Sequence, residues 1–85
     1  MRLERIEVTT RDDYRGSQEP VSFCWRGRNY RVTEVVDRWI EGRIDATRMP
    51  LRYFRVASDR GRQFLIRHHE CHGVWALCLV DGPEQ

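Results

Sequence analysis

Four side chains in the stretch His68-His69-Glu70-Cys71-His72 have metal-binding or nucleophilic chemistry: His68, His69, Cys71 and His72. Imidazole nitrogen and thiolate are ligands that zinc prefers, and a hairpin turn can present several of them together. A structural zinc site normally joins two short ligand motifs from separated backbone positions, and only one is present here. Cys24 and Cys78 are further candidate ligands, but both lie in strand-like stretches whose position relative to this turn the sequence does not fix. Read instead as a nucleophile pair, Cys71 and His72 lack an orienting third group and an oxyanion hole. The carboxylates fare no better. Asp12 and Asp13 fall in a loop, while Glu34, Asp37 and Glu41 read as solvated charges, and no glycine-rich phosphate loop occurs. The expectation is a polar turn with His68 packed on Trp75, no metal or other cofactor, and no enzymatic activity.

A second set of residues suits binding. All fifteen basic residues are arginine. The guanidinium fork pairs with phosphate and stacks on aromatic rings better than an ammonium does. Coding bias toward arginine would leave the same composition, and the net charge is only +2. The candidates are Arg26, Arg31, Arg55, Arg67 and Tyr53, read as facing away from the large core aromatics, with Arg28 at a turn tip. Small barrels that bind single strands combine such cations with exposed rings. Trp39 is the tryptophan expected to be exposed, as an anchor for a partner.

These side chains must be positioned by strands. In "FCWRGRNYRV" (Phe23–Val32) aromatics and arginines alternate about a glycine. A type II′ turn at Gly27-Arg28 sets Trp25 opposite Tyr30, Phe23 opposite Val32 and Val21 opposite Glu34. The other face then carries Cys24, Arg26, Asn29, Arg31 and Thr33. Asp59-Arg60-Gly61 fits a three-residue loop, giving Val56 opposite Phe64 and Tyr53 opposite Arg67. A loop over Glu70–Gly73 sets His68 against Trp75 and Ile66 against Leu77. The last strand is apolar on both sides, so both faces should be buried. "LERIEVTT" is a first strand with Ile6 and Val8 inward. "RDDYRGSQEP" and "EGRIDATRMP" read as loops closed by Pro20 and Pro50. Thr33–Glu41 fits either a short helical turn or a bulged strand, and its β-branched residues favour the strand. The fold class is all-β, with at most one short helical turn. Its architecture is a six-strand antiparallel meander, a curled sheet or an SH3-like barrel.

At 85 residues the chain makes one domain, residues 1–85. Three cysteines without secretory features argue against a disulfide framework. The apolar run Val74–Val80 is far shorter than a bilayer span of roughly 20 residues. The first ten residues lack a signal peptide's apolar segment. A cytoplasmic protein without a membrane role is expected.

"PVSFCWRGRNYRVTEVVDRW" (Pro20–Trp39), "YFRV" (Tyr53–Val56) and "GVWAL" (Gly73–Leu77) resemble a small uncharacterised bacterial family, a domain of unknown function. Its pattern is roughly a proline, an aromatic, Trp-Arg-Gly-Arg, Tyr, Val and a later Trp. Some members resemble tails of, or neighbours to, the polymerase-like accessory proteins of bacterial translesion DNA synthesis. The resemblance covers about two thirds of the chain and departs from the pattern at the His68–His72 turn. It implies a DNA-repair or replication context and no catalytic residues. The expected function is a non-enzymatic binding or adaptor module for an unknown protein partner. The alternative is a barrel that binds single-stranded DNA or RNA through an arginine-rich sheet face. Monomer and homodimer are both open.

Overall fold

The computed structural model describes residues 2–12, 18–41, 51–69 and 72–79. Six strands follow in order: β1 (Arg2–Asp12), β2 (Gln18–Trp25), β3 (Arg28–Glu41), β4 (Leu51–Ser58), β5 (Gln63–His69) and β6 (Val74–Leu79). Each pairs antiparallel with the next, and β1 pairs with β6 to close a barrel. The helical alternative for residues 33–41 is excluded, since β3 runs through them as one strand.

Two long strands bend to achieve closure. β1 pairs with β6 over Arg2–Ile6 and with β2 over Glu7–Asp12. β3 pairs with β2 over Arg28–Arg31 and with β4 over Val32–Glu41. Bulges between Val32 and Glu34 and between Val35 and Asp37 supply the bend in β3. Another irregularity falls between Thr9 and Thr10, and Pro20 sits opposite Thr10 with its side chain fully buried. A proline donates no ladder hydrogen bond, so it fits where the ladder is broken. The expected loop ending at Pro20 is therefore shorter: β1 reaches Asp12 and β2 begins at Gln18, a polar hairpin arm whose residues need no core to pair. Of the loop expected to end at Pro50, residues 42–50 lie outside the described residues.

Strand alternation fills the interior with Ile6, Phe23, Trp25, Tyr30, Phe54, Val56, Phe64, Ile66, Trp75 and Leu77. The downstream registers are as expected: Val56 with Phe64, Tyr53 with Arg67, His68 with Trp75, Ile66 with Leu77. Gly61, at φ +75°, closes the three-residue loop, where Ser58 N donates to Arg62 O at 3.0 Å. β6 is buried on both faces, including Ala76 and Cys78 on the outer side.

The first hairpin differs. Its turn is Arg26-Gly27, with φ of +52° and +76°. Two positive φ values mark a type I′ turn, whose twist matches that of the flanking strands. Trp25 now opposes Arg28, and Phe23 opposes Tyr30 instead of Val32. The slip is two residues, and a slip by an even number keeps every side chain on its face. Trp25 and Tyr30 thus remain inside together, with ring centroids 6.2 Å apart. Arg26 is the exception, because it leaves the strand for the turn and does not point away from Trp25.

Candidate arginine interface at the turn end of the barrel

An up-and-down order brings the β2–β3 turn, the β4–β5 turn and the start of β1 to one end of the barrel. Both turns spell Arg-Gly-Arg: Arg26-Gly27-Arg28 and Arg60-Gly61-Arg62. Polar contacts tie the three segments together. Arg26 Nη2 donates to Glu4 Oε2 at 2.7 Å, Trp25 Nε1 donates to Glu4 Oε1 at 2.8 Å, and Arg2 Nη2 lies 3.7 Å from Glu4 Oε2. Arg31 N donates to Asp59 Oδ1 at 3.1 Å, and Asp59 N donates to Arg31 O at 2.9 Å.

Beneath the turns lie four packed rings: Phe23, Trp25, Tyr30 and Phe64. Phe64 meets the other three edge-on, at centroid distances of 5.2, 5.7 and 5.0 Å. Guanidinium groups cap this cluster. Arg26 lies 4.7 Å from the Trp25 ring centre, Arg60 5.3 Å from Tyr30, and Arg62 4.9 Å from Phe64 and 5.5 Å from Trp25. A guanidinium on a ring uses its face and keeps its N–H donors in plane. The end therefore gathers Arg2, Arg26, Arg28, Arg60 and Arg62 around Glu4 and Asp59.

Hydrogen bonds from Arg26, then from Trp25, hold the Glu4 carboxyl below its usual range, and the same contact raises Arg26. A depressed carboxylate stabilises the fold above its unfolded pKa, and that stability disappears as pH falls through the folded value. Glu4→Gln should therefore melt below wild type at neutral pH, with the gap closing as pH drops below the ordinary carboxylate range. A gap that stays constant across the pH series would show that Glu4 acts only through packing.

The seven binding candidates divide between two places. Arg26 and Arg28 belong to the turn end, with exposed Arg31 beside Asp59. Trp39, Tyr53, Arg55 and Arg67 share the outer face of β3, β4 and β5, where Trp39 opposes Tyr53 and Tyr53 opposes Arg67. Arg55 opposes Asp37 in the β3–β4 ladder. Trp39 stacks on Tyr53 at 5.4 Å and 6°. Tyr53 is buried, so its ring is no open stacking platform, while Trp39 is half-exposed and Trp25 and Trp75 are buried. Arg2, Glu4, Arg60 and Arg62 escaped the sequence reading. The signal that could have found two of them is the Arg-Gly-Arg tripeptide recurring at both glycine turns.

Alternation separates the histidine cluster. His68 points inward, stacked on Trp75 at 4.1 Å and 8°. His69 occupies the other side of β5, its ring 4.7 Å from that of His72. Cys71 lies outside the described residues, among which no group of three or more metal-capable side chains forms. Cys24 and Cys78 are free thiols, and burial pushes the Cys78 thiol up. The expectation of no metal at this turn predicts that a chelator leaves the melting temperature unchanged. About one zinc per chain, with loss of fold on chelation, would make the His68–His72 turn a structural centre instead.

Among the described residues no helix is long and apolar enough to cross a membrane. No curated protein and no solved structure matches the chain. Its residues 2–81 match a family described as a domain of unknown function, DUF6504, and the chain belongs to that family.

Proposed function

We propose that the domain is a non-enzymatic binding module that docks a protein partner on the arm formed by β3 and β4. One observation carries this reading: Trp39 is half-exposed beside Ile40, which is 56% exposed, over an apolar hollow of about 340 Å³. The hollow is lined by Arg38, Trp39, Ile40, Arg52, Tyr53 and Phe54. Tryptophan, tyrosine and arginine are the residues that most often carry binding energy at interfaces. Beyond Arg31, β3 pairs only with β4 among the described residues, which leaves an edge that an extended segment can join. The partner would present an apolar side chain to the hollow. The resemblance to a family some of whose members look like tails of, or neighbours to, the polymerase-like accessory proteins of translesion synthesis supports a partner from DNA repair or replication.

A photo-crosslinking residue at position 40, used in extract of the source cell, tests this. The expected result is one discrete protein adduct, absent when the crosslinker is moved to position 11 and lost on Tyr53→Ala in a folded variant. No adduct from position 40, or equal adducts from both positions, would overturn the reading.

A further inference from the structure

We propose that the turn end of the barrel is a separate site for the phosphodiester backbone of nucleic acid. It lies at the far end of β3 from Trp39, because β3 starts beside the Arg26-Gly27 turn and ends at Glu41. The argument rests on how the arginines are held.

A guanidinium on a flexible chain loses rotamer freedom when it grips a phosphate, and that loss subtracts from affinity. Arg26, Arg60 and Arg62 have already given up much of that freedom by lying on Trp25, Tyr30 and Phe64. Their in-plane donors suit phosphate oxygens, which accept the fork in pairs. Among the described residues, the two carboxylates at this end are fewer than the five arginines they face. Glu4 is engaged by Arg26, Trp25 and Arg2, and Asp59 by the Arg31 backbone, which leaves Arg28, Arg60 and Arg62 outside these carboxylate contacts among those described. Phosphate is the anion that fits several such forks spaced along two hairpin tips, because a nucleic acid strand repeats it at regular intervals.

The rings also determine what the site cannot read. Trp25, Tyr30 and Phe64 are 9%, 7% and 5% exposed and are covered by the guanidinium groups, so no base can stack on them. Contacts to phosphate alone carry no sequence information. The site therefore grips single strands and duplexes alike, without base preference, and the duplex at least as tightly because its charge density is higher.

The test is a titration of the whole chain with labelled single-stranded and duplex DNA of mixed sequence, at two salt concentrations. Neutralising about three phosphates should weaken binding roughly 20- to 40-fold between about 50 and 200 mM salt. Arg60→Glu with Arg62→Glu should reduce affinity at least tenfold and flatten the salt dependence. Arg5→Glu with Arg11→Glu makes the same change in net charge on exposed β1 positions and should leave affinity within about threefold of wild type. If the glutamate pair fails to fold, Arg60→Lys with Arg62→Lys decides instead. It keeps the charge but loses the planar fork, and should weaken binding several-fold with an unchanged salt slope. Absence of DNA binding at low salt overturns the proposal. So does a greater loss from Arg55→Glu with Arg67→Glu, which would move the site to the sheet face. Binding to vesicles rich in phosphatidylserine without binding to DNA would identify a membrane surface and overturn it equally. The Trp39 arm takes no part in this readout, so the two proposals fail independently.

Discussion

Replacing Trp25 by alanine should cost roughly 3–5 kcal/mol in a urea titration, a typical loss for a large core ring. A domain of this length has a total stability of roughly 4–13 kcal/mol, so the variant stands at the edge of unfolding. The effect has three parts. The indole packs against Tyr30 at 6.2 Å and Phe64 at 5.7 Å, and alanine leaves that volume empty. Glu4 loses the Nε1 donor at 2.8 Å. Arg26 and Arg62 lose the surface on which they lie. Trp25→Phe keeps an apolar ring but removes the donor together with part of the indole volume. It should cost about 1–3 kcal/mol, the hydrogen bond plus the lost packing, and less than the alanine change. A Trp25→Ala loss below about 1 kcal/mol would mean that the turn end is not built on this ring.

Leu77→Ala should cost about 2–5 kcal/mol, because Leu77 is 0% exposed in the middle of the interior. Its neighbour gives the comparison. Cys78 is also buried, at 8% exposure, but on the outer side of β6, where it opposes Leu3 and Leu65 rather than the central core. Cys78→Ala removes one atom there and should cost about 1 kcal/mol or less, in line with a single small group. Equal losses at the two positions would contradict the assignment of Leu77 to the inside and Cys78 to the outside.

The downstream half of this barrel was readable because two independent signals agreed. Gly61 and Gly73, both with positive φ, mark turns, and the alternation on either side fits one register only. The upstream hairpin was less determined. In Trp25-Arg26-Gly27-Arg28-Asn29 the glycine can stand first or second in a two-residue turn, and the aromatic pattern looks the same in both cases. The register was misread by two residues while the inward face was still correct. The long reach of β2 through Pro20 was hidden because polar hairpin arms carry no apolar pattern. The turn-end arginines were hidden for a different reason. Alternation tells which side of a strand a residue faces, whereas the meeting of Glu4 with Arg26 depends on β1 closing against β6 and on two distant turns sharing one end. That information is non-local. The splitting of His68 from His69, in contrast, follows from strand alternation alone.

Closure by β1 and β6 also governs the order in which the molecule assembles. Every other strand pair joins sequence neighbours through a short connection, whereas Arg2 pairs with Leu79 across almost the whole chain. The entropy of closing a loop grows with its length, so this seam is the costliest contact to form and the first to be released in partial opening. Amide exchange should accordingly be fastest along Arg2–Ile6 among the core ladders and slowest where β5 lies between β4 and β6. Arg2 and Glu4 both hang from that seam. The arginine surface is complete only once folding has finished, and any ligand that bridges it to the two turns will slow exchange along β1.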